Sequence, residues 1–136
     1  MKQGRGRDEG EIVTAFRCFQ AALLAMLAGW AYADAAGDPA RGQQLYESRC
    51  VACHSLDDNR VGPMHRGVYG RKAGSARDFD YSLALKKSKI VWDDRTLDRW
   101  LRNPESLIPG QKMSYQVAEA SDRADLIAFL KRESAK

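Results

Sequence analysis

Cys50-Val51-Ala52-Cys53-His54 is the segment whose residue types and spacing could do chemistry. Two thiols three positions apart lie about one turn from each other when the backbone between them is helical. Each could then add to a vinyl group on one edge of a porphyrin, while the adjacent imidazole reaches the iron from the same side. This is the C-x-x-C-H attachment signature of c-type haem. Three other readings of the same residues stay open at this point. A thioredoxin-like dithiol would sit at a strand-to-helix junction of an α/β fold. A structural zinc site needs four ligands, and beyond the motif there remain only His65 and Cys18. A disulfide across two intervening residues would be strained.

The elements that must position these residues can be read from capping and periodicity. Asp38-Pro39 opens a helix, because Asp accepts from free amides and Pro suits the first helical position. Leu45 and Tyr46 give that helix an apolar edge, and Gly42, four residues before Tyr46, leaves a flat spot for another helix. From Ser55 to Lys89 the chain holds Gly62, Pro63, Gly67, Gly70 and Gly74 with little periodicity, which predicts loop with short turns. Asp93 or Asp94 caps a second helix carrying Leu97, Trp100 and Leu101, ended by Asn103-Pro104. Pro109-Gly110 makes a turn before Lys112-Met113. Ser121 caps a last helix with Leu126, Phe129 and Leu130 on one face. No strand pattern stands out, so the expected fold is all-α, with three main helices and long loops. Loops this long in a compact domain need something to wrap around.

The wider chain limits what that domain can be. At 136 residues it suits one domain of ordinary size. With 44% hydrophobic and 29% charged residues it is globular in composition rather than disordered. Residues 1–33 read as a secretory signal peptide: a polar, Arg-bearing start, an uncharged apolar run from Cys18 to Ala31, then small residues at Ala31 and Ala33. The run is short of the roughly 20 residues that span a bilayer. Cleavage after Ala33, or alternatively Ala35, would leave a domain at 34–136 that is exported to the periplasm, without stable membrane insertion, and monomeric. The formal charge is +4, and residues 34–136 keep 18 basic against 15 acidic side chains. Basic residues are interleaved with acids rather than clustered, which favours an acidic protein surface over nucleic acid as the partner.

From about Asp38 to Lys131 the chain resembles the class I c-type cytochromes, the mitochondrial cytochrome c type and its bacterial relatives. The ordered landmarks are Gly62-Pro63, Gly67-Val68-Tyr69-Gly70-Arg71, Phe79-Asp80-Tyr81, Val91-Trp92, Asn103-Pro104, Ile108-Pro109-Gly110 with Lys112-Met113, and Asp125 to Leu130. The resemblance implies the cytochrome c fold around one covalent haem c and its iron, held through Cys50 and Cys53. It implies His54 and Met113 as axial ligands, and Pro63 as the carbonyl that accepts from His54. It also implies Arg71, Tyr81 and Trp92 as partners of a buried propionate. Met64 competes with Met113 by residue type alone.

The sequence departs from the family at several points. Trp100 stands where the family usually has a tyrosine near the methionine sulfur, and Gln111 replaces a threonine. His65 takes a leucine position, and Glu105 and Ser106 replace two lysines of the docking ring. The implied function is a single-electron carrier between periplasmic respiratory or dehydrogenase partners, with no catalytic residues of its own. Alternatives are a dedicated cytochrome subunit of a periplasmic dehydrogenase, or a haem enzyme with an open sixth position.

Overall fold

The computed structural model describes residues 36–136, so the expected leader at 1–33 and its cleavage site lie outside the described residues. Among the described residues five helices run in order: α1 (Pro39–Arg49), α2 (Leu83–Lys87), α3 (Asp94–Arg102), α4 (Pro104–Leu107) and α5 (Ala120–Ser134). Among the described residues there is no sheet. One antiparallel bridge, between Lys72 and Val91, is the only strand-like pairing there. No helix among them is long and apolar enough to cross a membrane.

The helix α1 begins as its sequence dictates: the Asp38 carboxylate accepts from the Ala40 amide at 2.8 Å and Pro39 occupies the first turn. Its apolar edge packs on α5, where the Tyr46 and Phe129 rings lie 5.0 Å apart. Gly42 makes this approach possible. A Cβ there would lie 2.0 Å from the Asp125 carbonyl oxygen, which is backbone and cannot swing away. Charged groups frame the same crossing. Arg41 bonds both Asp122 and Asp125, Arg49 reaches Asp122 at 2.8 Å, and the Asp38 amide donates to Asp125 at 2.6 Å. Burial pushes the Asp122 carboxyl up, but the bonds from Arg41 and Arg49 outweigh it and hold its pKa below the usual range. Gly42→Val should therefore destabilise the protein by about 1–3 kcal/mol or more, the usual range for forced overpacking. Denaturant titration of the holo-protein checks this, and an unchanged midpoint would mean the helices do not cross here.

In α3 the N-cap is Asp93, whose carboxylate takes the Thr96 amide while the Thr96 hydroxyl takes the Asp93 amide. Leu97 and Leu101 are the buried face of α3. Two local expectations change. The segment 55–89 is not wholly loop: α2 forms within it, capped by Ser82 accepting from Leu85 at 3.3 Å. Five residues are too few for a helical period to be visible. The last helix starts at Ala120 with Glu119 as N-cap, so Ser121 falls in its first turn and caps nothing. The reason is Arg123, 4% exposed, whose guanidinium takes the Val117 and Ala118 carbonyls at 3.0 and 2.6 Å and Asp98 at 2.6 Å. That clamp sets the path into the helix and ties α3 to α5.

Candidate haem-binding site

The C-x-x-C-H segment starts where α1 stops. Cys50 is the C-cap, its amide bonded to the Tyr46 carbonyl, and the amides of Cys53 and His54 both reach back to the Cys50 carbonyl, at 3.1 and 2.9 Å. The turn so formed sets the two thiols on one side of a cavity of about 400 Å³. Cys50 is half-buried and Cys53 exposed. Burial pushes the Cys50 thiol up to about 11. It is thus held as the neutral thiol, the opposite of the lowered pKa that a dithiol redox pair needs. Among the described residues no three His, Cys, Asp or Glu side chains converge as metal ligands. Among the described residues, then, the two cysteines are not a corner of a closed zinc site.

His54 follows with its ring placed from several directions. Its Nδ1–H donates to the Pro63 carbonyl at 2.8 Å, which fixes the tautomer and leaves Nε2 with a free lone pair. Burial lowers its pKa more than that bond raises it, so the ring is a neutral, ligand-competent imidazole. Gly62 must be glycine here, because a Cβ would come within 2.2 Å of His54 Cε1. His65 stacks on the His54 ring, centroids 4.0 Å apart and planes 20° from parallel. The backbone bonds of His65 and Arg66 to the Ser55 and Leu56 carbonyls fold this loop back under the motif. From the other side, the Tyr69 amide donates to Ser134 and Arg66 reaches Glu133, so the end of α5 holds the loop.

All eight residues expected at the site line the one cavity: Cys50, Cys53, His54, Pro63, Arg71, Tyr81, Trp92 and Met113. Met64 does not line it. Apolar walls come from Val68, Leu97, Leu101, Leu126 and Leu130, which also belong to the core of the domain. Arg71 and Trp92 are brought together across the bridge of the chain with itself, the Trp92 amide donating to the Arg71 carbonyl at 2.9 Å. Arg71 donates to the Met64 and Arg66 carbonyls at 2.9 and 3.1 Å, and the Tyr81 hydroxyl accepts from the Ala76 amide at 3.3 Å. Trp100 lies against Trp92, ring centroids 5.3 Å apart.

Met113 is half-buried on the loop after Pro109-Gly110, where Gly110 takes the left-handed conformation at φ +85°. Two residues missed by sequence reasoning brace it. Glu105 accepts from the Gly110 amide at 2.9 Å and from the Gln111 side chain at 3.2 Å, and the Gln111 side-chain Oε1 accepts from the Met113 amide. Along the chain both read only as departures from the family pattern. The signal that could have found them is a carboxylate and an amide placed six apart around a Pro-Gly turn.

The donor set suits a covalent haem: two thiols one turn apart, a neutral imidazole and a thioether on the walls of one apolar cavity. Comparison with known proteins agrees. The family model described as cytochrome c matches residues 39–133. The chain is similar to cytochrome c2 of Rhodomicrobium vannielii, 45% identical over 104 residues that cover 74% of this chain and 82% of that protein. It is also similar to cytochrome c of Theileria annulata, 47% identical over 104 residues that cover 74% of this chain and 90% of that protein. Among solved structures it resembles cytochrome cH from Methylobacterium extorquens, with a TM-score of 0.67 and 41% identity, covering 71% of this chain and 99% of that one.

Proposed function

This chain belongs to the cytochrome c family, carrying one covalently attached haem c and its iron as an electron carrier rather than an enzyme, and from that premise we propose that it shuttles single electrons between exported redox partners using His54 and Met113 as axial ligands. The observation that carries the ligation is that both side chains line the cavity that Cys50 and Cys53 border, whereas Met64 lies off it. The haem supplies a metal that cycles between two oxidation states; the chain supplies its setting. Cys50 and Cys53 would fasten the group, and Pro63 holds the His54 proton at Nδ1, which would leave Nε2 to ligate the iron. Arg71, Tyr81 and Trp92 stand where a propionate would be received, with Arg71 the one positive group among them. A thioether and an imidazole together would raise the reduction potential and would leave no coordination position for a substrate. The reduced protein should therefore fail to bind carbon monoxide at neutral pH. Prompt binding would move the reading to a haem enzyme with an open sixth position.

The expected export of residues 34–136 supports a periplasmic location, where donor and acceptor would be proteins. Lys112 supports electrostatic docking: it is exposed, borders the cavity and has no ion-pair partner among the described residues. Nearby Lys86 differs, being paired with Asp80 at 2.7 Å. Lys112→Glu should slow electron transfer to an acidic redox protein by about threefold to tenfold at low ionic strength, a share of the range over which steering acts. The difference should shrink at physiological salt, where the screening length is about 8 Å. Stopped-flow rates across a salt series measure it, and a rate indifferent to both salt and the substitution would rule out docking at this edge.

A further inference from the structure

His65 is the residue of the site that no role yet covers. It lines the cavity, its ring lies 4.0 Å from that of His54 at 20° between planes, and its Nδ1 is enclosed with no hydrogen-bond partner. Tyr46 meets it edge-on at 5.6 Å, and the Tyr46 hydroxyl is also enclosed and unpartnered. An enclosed polar atom left without a partner costs stability. A leucine would fill this place without that cost, so the histidine asks for another explanation. Its geometry supplies one. The Pro63 bond holds one edge of the His54 ring and Gly62 crowds its Cε1, but neither covers its face. A flat ring laid against that face, itself met edge-on by Tyr46, adds a restraint on the tilt of the plane.

We propose that His65 is a positioning residue that fixes the plane of the His54 imidazole by stacking. The proposal rests on the reading of His54 as an axial ligand. In an oxidised low-spin haem the plane of the axial imidazole, together with the lone-pair orientation of the other axial ligand, sets the magnetic axes, and these set the order and spread of the four haem-methyl proton resonances. The plane held by His65 is therefore visible in a spectrum that overall packing does not dictate.

The test uses the holo-protein with His65→Leu, His65→Gln and His65→Phe, read by proton NMR of the oxidised form and by thermal unfolding. The leucine and glutamine variants, which cannot stack, should change the order or spread of the haem methyls. The phenylalanine variant, flat and of similar width, should return the wild-type pattern. The leucine variant should melt no lower than wild type, since it removes an unpartnered nitrogen. An unchanged methyl pattern in the leucine variant overturns the proposal while leaving ligation intact, and so does a lowered melting point with no change in pattern. If wild type shows no strongly shifted ring protons from His54, the ligation reading fails, and the positioning role fails with it. Should the leucine variant not take up haem, the phenylalanine and glutamine pair decides on the same criterion.

Discussion

A Cys50→Ala, Cys53→Ala double variant should lose most of its helical circular dichroism, remaining largely unfolded at room temperature. The cavity that the thiols border is not peripheral. Trp92, Leu97, Leu101, Leu126 and Leu130 line it and also form the core that joins the helices. Without haem they face about 400 Å³ of space. At roughly 24 cal/mol per Å³ of unfilled cavity this is on the order of 10 kcal/mol, comparable to the 5–15 kcal/mol by which whole domains are stable. The loop from Ser55 to α2 would suffer most. Its backbone bonds run to the cysteine motif and to residues 90–92, among them Gly62 to Cys53, Gly70 to Trp92 and Ala73 to Ile90, and so belong to the walls of the space that the haem would fill. Ellipticity equal to that of the holo-protein would refute the view that the prosthetic group is part of the core.

Met113→Ala should abolish the weak far-red absorption of the oxidised protein that comes from sulfur-to-iron charge transfer. It should also lower the reduction potential by about 0.2 V, part of the roughly 0.8 V range over which axial ligands move haem potentials. The thioether favours ferrous iron, so losing it favours the oxidised form. The brace around Met113 allows a graded companion. Gln111→Ala removes the acceptor for the Met113 amide and leaves the sulfur in place. It should keep the band at neutral pH and lose it at lower alkaline pH than wild type. Persistence of the band in Met113→Ala would refute the assignment, because only another sulfur could give it, and would turn attention to Met64 although it does not line the cavity.

Much of this protein was legible along the chain because its signals are local. Asp38-Pro39 and Asp93 with Thr96 start helices through bonds spanning two or three residues. The Cys50 to His54 turn needs only its own backbone to set two thiols one turn apart. Asn103-Pro104 ends α3, yet Asn103 also accepts from Ser106 at 3.0 Å and so opens α4, a second use of one residue that a breaker signal does not reveal. Composition and spacing likewise pointed to one covalent cofactor and to an all-α domain.

What could not be read locally depends on partners far away in sequence. The start of α5 follows Arg123 and its hold on Asp98, 25 residues earlier, rather than the nearest serine. The stacking of His65 on His54 requires the intervening loop to close back on Ser55 and Leu56. The brace from Glu105 to Met113 requires Gly110 in a left-handed turn, so that side chains on either flank can meet. A residue's type states which bonds it can make, and a spacing of three or four residues states which neighbours it meets within a helix. Across a loop the neighbour is chosen by how the chain closes around its core, and here that core includes a group the polypeptide does not encode.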